Sequence, residues 1–151
     1  MSSFEDILAR EGRLVYRTRG ASMEPMLRQD RDLVIIRAAD SRLRKYDVAF
    51  YRRGSDYILH RVIKVKEDSY LIRGDNTFSL EDVPDNAVIG VLTGFQRKGK
   101  EHSTDDRSYR RYVRFWNAVY PLRYAWRRFR RFGAKTARKL GILPSVKKTH
   151  K

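Results

Sequence analysis

Apolar and polar positions along the chain fall into short, separate stretches. Phe4, Ile7 and Leu8 share one side of a helical period over residues 4–10, with Ser2 or Ser3 placed to cap it. After Gly12 the period shortens. "RLVYRTR" alternates modestly, and "DLVIIRA" (32–38) is a continuous, largely β-branched run expected to be buried on both faces. "YDVAFYR" (46–52), "YILHRVIKVK" (57–66), "SYLIRG" (69–74) and "AVIGVLTGFQR" (87–97) follow, separated by Gly, Ser and Asp, and "RKGKE" reads as the turn of a hairpin. Strands this short, with no helices between them, predict a mainly β domain. Near Asp105 the period changes again. Tyr109, Tyr112, Val113, Trp116, Val119 and Tyr120 recur at helical spacing, and Pro121 is expected to end or kink that helix. A second helix is expected over Leu122 to Leu140 with Trp126, Phe129 and Phe132 on one side, Gly133 interrupting it, and a frayed "PSVKKTHK" at the end.

Charge divides the chain at the same place. The formal net charge is +16, yet residues 107–151 hold 15 Lys and Arg and no acid, which leaves residues 1–106 nearly neutral. Two parts are therefore expected: a β-rich domain over 1–106 and a basic, aromatic helical tail over 107–151. The absence of cysteine removes disulfides, thiolate zinc sites and cysteine nucleophiles together. Three scattered histidines offer no ligand cluster, so neither metal nor cofactor is expected. No apolar run approaches the roughly 18–20 residues that cross a bilayer. The acidic "MSSFEDILAREG" is expected to be neither leader nor anchor, and a cytoplasmic protein is expected.

Two residues stand out chemically. Ser22, in "RGASMEPML", sits on a turn just before a buried strand; a serine there usually bonds its own backbone. His60, in "YILHRVIKVK", shares a strand face with Ile58 and Val62, where one hydrogen bond satisfies a core histidine. "IRGDNTF" reads equally as a turn built on Asp75 and Asn76. The ordered set says more. "GASMEPML", "YDVAFY", "LHRVIKV", "YLIRGDN" and "IGVLTGF" follow one another over Arg19 to Phe95, about half the chain. This set resembles the catalytic core of type I signal peptidases, with the LexA-type self-cleaving repressors as more distant relatives of the same β-fold.

The resemblance implies a serine endopeptidase with a signal-peptidase/LexA-like fold. Ser22 then matches the nucleophile, and His60 falls where most bacterial members carry a lysine, as in the endoplasmic-reticulum-type enzymes. Asp75 matches the Gly-Asp-Asn box, and Glu81 or Asp82 is nearest to a further acid of the histidine-type enzymes. Asp75 and Asp82 are both kept as supports for His60. The chemistry has reasons for these types: a hydroxyl needs a base as it attacks, and a neutral imidazole supplies one near neutral pH. A carboxylate on the other ring nitrogen would fix the tautomer. The Ser22 amide is the first expected oxyanion donor. Many members add a hydroxyl two residues earlier, but that position is Gly20 here. Pro25 stiffens the turn, and Met23 and Pro25 are expected to touch an extended peptide substrate with small residues before the cleaved bond.

Family members usually carry an N-terminal membrane anchor, which is not expected here, and the tail offers a substitute. Arginines opposite Trp, Tyr and Phe have the composition of an interfacial helix that brings residues 107–140 to an anionic membrane surface. In the plainer reading, the aromatic stripe packs on the β domain and the arginines are solvated. Nucleic acid is disfavoured, because no recognition motif accompanies the basic residues. Two rival functions stand beside the leader- or signal-cleaving peptidase: a LexA-like regulator that cleaves itself or one partner, and a non-catalytic relative that binds membrane or partner.

Overall fold

Ser3 opens the first helix, α1 (Phe4–Glu11), through a capping box: its hydroxyl accepts from the Asp6 amide while Asp6 accepts from the Ser3 amide. Gly12 closes it at φ 65°. In the computed structural model residues 3–139 are described, with backbone alone from 134. Ser2, Leu140 and "PSVKKTHK" lie outside the described residues.

Eight strands follow: β1 (Arg13–Arg17), β2 (Leu33–Ala38), β3 (Val48–Arg53), β4 (Asp56–Val65), β5 (Ser69–Arg73), β6 (Glu81–Pro84), β7 (Val88–Arg97) and β8 (Lys100–Ser103). They form one antiparallel sheet in the order β1-β2-β7-β3-β4-β5-β6, and β8 pairs with β7. The mainly β expectation therefore holds. The hairpin at "RKGKE" is present: Arg97 pairs with Lys100 across Lys98 and Gly99, both at positive φ, the backbone a two-residue hairpin turn requires.

The strand buried on both faces is β3, not β2. In β3, Val48 and Phe50 enter one apolar cluster with Leu14, Met23, Met26, Leu27, Val34 and Ile36, while Ala49 and Tyr51 enter a second with Val62, Tyr70, Ile72 and Val83. In β2 only Val34 and Ile36 are fully buried, because Leu33 and Ile35 point away from the first cluster and stay partly exposed. Continuous β-branched sequence did not separate a central strand from its neighbour.

β6 has no counterpart in the sequence reading. Its four residues, "EDVP", look like a loop, yet Ile72 pairs with Glu81 and Tyr70 with Val83. Pro84 sits at the end of this terminal strand, where its missing N–H disturbs no ladder.

Beyond β8, α2 (Arg107–Ala118) and α3 (Tyr120–Lys139) meet at Val119. As expected, the helix before Pro121 ends, at Ala118, and Pro121 itself lies in the first turn of α3, where its lack of an N–H leaves no bond unmade. Gly133 does not interrupt α3. The chain divides into two compact units, one ending at Val113 and the other beginning at Arg114. The first turns of α2 thus belong with the β-rich part: Tyr109 and Tyr112 pack against its first cluster, and Val113 is buried.

Candidate active site

Ser22 lies in a run of turns over residues 21–26, between β1 and β2. Two Met and one Leu hold the run down, since Met23, Met26 and Leu27 are all buried in the first cluster. Glu24 N–H donates to the Ala21 carbonyl and Leu27 N–H to that of Met23. At its base, Thr18 N–H donates to the Asp32 carbonyl and the buried Asp32 carboxylate accepts from Arg28 N–H at 2.9 Å. With the core beneath it anchored, the turn leaves Ser22 partly exposed and Pro25 exposed. Gly20, at φ 78°, donates its N–H to Gln29 and carries no hydroxyl.

The segment after β5 clasps this turn. Asn76 N–H donates to the Ser22 carbonyl at 2.8 Å, and the Asn76 side-chain amide donates to the Ala21 carbonyl at 3.1 Å. Between them Gly74 is a close approach. A Cβ there would stand 2.6 Å from the Ser22 carbonyl oxygen and 3.1 Å from both Nε2 and Cδ2 of His60. The Ser22 backbone and the Nε2 edge of His60 therefore face the same small space. Both residues also line one cleft of about 930 Å³, whose wall includes Met23, Leu27, Tyr16, Tyr57 and Phe4. Met23 is core and cleft wall at once.

The opposite edge of the imidazole faces Tyr51. Tyr51 pairs with Ile58 across β3 and β4, so His60, two residues on, is its diagonal neighbour on the same face. The Tyr51 oxygen stands 3.3 Å from His60 Nδ1 and donates to Glu81 Oε2 at 2.7 Å. Arg53 donates to the same Glu81 carboxylate at 3.2 Å. A phenol whose proton goes to Glu81 can accept a second one, so it favours the tautomer with hydrogen on Nδ1 and leaves Nε2 with its lone pair toward Gly74. Burial holds the His60 pKa below the ordinary histidine value; the charges of Glu81 and Asp75 pull the other way and that of Arg53 adds to the lowering. The Tyr51 hydroxyl is pushed up by burial and by its bond to Glu81, so it stays protonated.

The two aspartates have other partners. Alternation along β4 sends Arg61 to the face opposite His60, and Asp75 goes with Arg61. Arg61 is 0% exposed and donates to both Asp75 carboxylate oxygens at 2.7 and 2.8 Å. It also donates to the Tyr46 carbonyl, the Tyr109 hydroxyl and the Met26 sulfur, while Tyr112 donates to Asp75. Burial works against the Arg61 charge, but the Asp75 carboxylate beside it outweighs this and raises its pKa above the usual arginine value. Asp75 thus balances a buried cation rather than accepting from the imidazole. Asp82 is exposed and paired with Lys66, because alternation on β6 turns Glu81 and Val83 toward the second cluster and Asp82 away from it. Sequence reasoning missed Tyr51 and Arg61. The signal for Arg61 was present, since a buried carboxylate at Asp75 demands a cation and Arg61 is next to His60 in the same strand.

Among the described residues no group of three or more His, Cys, Asp or Glu is placed to hold a metal ion, and no helix is long and apolar enough to cross a membrane. Compared with models of known protein families and with curated proteins, the chain matches none.

Proposed function

We propose that the chain is a serine endopeptidase of the signal-peptidase-like kind, which cuts a leader or signal segment from an extended peptide or protein. The observation that carries this reading is the meeting of the Ser22 turn and the Nε2 edge of His60 at Gly74, on the wall of an open cleft. Ser22 Oγ attacks the peptide carbonyl carbon while His60 Nε2 takes the hydroxyl proton. The tetrahedral intermediate collapses to an ester on Ser22, and the imidazolium returns the proton to the leaving amine. Water, deprotonated by the same nitrogen, then attacks the ester, and its proton restores the Ser22 hydroxyl. The Ser22 N–H serves the developing oxyanion. A pKa below the ordinary histidine value keeps His60 neutral, hence a competent base, at neutral pH.

In place of an aspartate, Glu81 acting through Tyr51 holds the ring by Nδ1. The fold belongs to the same reading: a nucleophile turn before β2, a base on β4 and a Gly-Asp-Asn turn after β5 are the signal-peptidase/LexA-like order. Incubation of the purified chain, Ser22→Ala and His60→Ala with a mixed peptide library, read by mass spectrometry, tests it. Cleavage by the wild type and by neither variant is the expected result. Self-fragmentation abolished by Ser22→Ala would favour a self-cleaving regulator, and products that persist in both variants would overturn the site.

A further inference from the structure

The tail's large apolar residues differ in exposure, with Trp116 and Tyr120 half-buried. Tyr109, Tyr112 and Val113 pack on the β-rich part, whereas in the second unit Phe115, Leu122, Trp126, Phe129 and Phe132 are all exposed. On α3, Leu122, Trp126 and Phe129 are spaced by four and three residues and fall within an arc of about 60°. Their exposures are 71, 62 and 69%. Phe132 flanks the arc, and the rings of Trp126 and Phe129 stack at 6.3 Å. Arg123, Arg127, Arg130 and Arg131 occupy the adjoining arc of about 100°, with Arg128 beyond it. Neither α2 nor α3 contains an Asp or Glu.

From this arrangement we infer that α3 is a docking surface for an anionic membrane, lying in the headgroup plane with Leu122, Trp126 and Phe129 in the acyl boundary and the arginines at the phosphates. The two halves of the helix require both components at once. An apolar stripe that wide is buried by any nonpolar partner, but a flanking row of cations without a single acid matches a surface that is apolar below and anionic at its rim. Nucleic acid accounts for the arginines and leaves an aliphatic Leu122 in the stripe unexplained. A second copy of so cationic a helix brings like charges together. Among the described residues no helix is long and apolar enough to cross a bilayer, and an apolar stripe flanked by cations suits a helix that lies in one leaflet's headgroup plane. The inference rests on α3 alone and stands apart from the peptidase reading.

The test uses the full chain carrying Trp116→Phe, which leaves Trp126 as the sole tryptophan. It is mixed with vesicles of phosphatidylcholine alone, or of phosphatidylcholine with phosphatidylglycerol. Pelleting with the mixed vesicles and a blue shift of Trp126 emission are expected, with weak pelleting on the neutral ones. Since each cation near an anionic leaflet is worth roughly fivefold in partitioning, Arg127→Gln/Arg130→Gln/Arg131→Gln should weaken binding about a hundredfold. Leu122→Ser/Phe129→Ser, on exposed positions, should abolish the blue shift. Equal pelleting with both vesicles, or anionic binding with Trp126 emission unmoved, would overturn the inference. So would an oligonucleotide held tighter than the mixed vesicles, or a vesicle-free dimer lost in Leu122→Ser/Phe129→Ser.

Discussion

The hydroxyl of Tyr51 stands 3.3 Å from Nδ1 of His60, and the same hydroxyl donates to Glu81. The imidazole is thus held through a phenol, with the carboxylate one step further out. Removing the phenol oxygen leaves the ring's packing in place and takes away its acceptor. Tyr51→Phe is expected to lower kcat by about a hundredfold, the low end of what a positioned proton-transfer group contributes, with KM little changed. Asp82→Asn, on an exposed ion pair facing away, should leave both constants alone. Steady-state kinetics on the two variants checks the assignment.

The pH profile follows from the same contacts. Burial lowers the His60 pKa, so the folded protein disfavours the imidazolium. The acid limb of kcat/KM is therefore expected below the ordinary value of about 6.5, with activity rising as pH passes upward through it. The sign for stability is the same: the neutral ring's contribution is complete above about 6.5 and is lost as pH falls through the lowered folded value. Because the Glu81 charge favours the imidazolium, Glu81→Gln should move the limb to still lower pH. Initial rates across pH for the wild type and this variant test both statements.

Asp75 carries a different expectation. Asp75→Asn strands the charge of a fully buried Arg61, at a cost of about 3–5 kcal/mol. Arg61→Met/Asp75→Leu removes both charges together and should recover most of that stability. Denaturant unfolding of the single and double variants measures the coupling. Equal stabilities would contradict a buried structural pair.

Gly74 offers the sharpest steric prediction. A methyl there meets the Ser22 carbonyl at 2.6 Å, which is backbone, and the His60 ring at 3.1 Å. Gly74→Ala must push the serine turn away from the imidazole, destabilising the protein by about 1–3 kcal/mol and lowering kcat about a hundredfold by misplacement alone. Gly99→Ala, with open space around its Cβ, is the steric control, its left-handed φ of 77° being the source of any strain it shows. Activity per folded molecule, from thermal unfolding run beside kinetics, separates the two effects.

Much of this was legible in the chain because it rests on local chemistry. Ser3 and Gly12 announce α1, Gly99 the last hairpin, and Ser22, His60 and Asn76 stand in short boxes whose order survives in the fold. The rest depends on which way a strand faces. "EDVP" shows too little periodicity to read as a strand, so the choice between Glu81 and Asp82 waited for the register with β5. Asp75 looked like a partner for His60 because the two are boxed together in order, but one step of alternation gives it to Arg61. The aromatic stripe of the tail read as one surface, whereas Val113 is buried, Trp116 and Tyr120 are half-buried, and Leu122, Trp126 and Phe129 are exposed. Tyr51 was hidden for a simpler reason. Within "YDVAFYR" nothing distinguishes a tyrosine that fills a core from one that also orients an imidazole.

A covalent intermediate is the most direct measure of the central claim. The chain is mixed with an activated peptide ester, quenched in acid within the first turnovers, and the adduct is mapped by mass spectrometry. The mass of one acyl group on Ser22, forming much more slowly in His60→Ala and absent in Ser22→Ala, is the predicted result. An adduct on another residue, or hydrolysis that continues unchanged without the Ser22 hydroxyl, would contradict it.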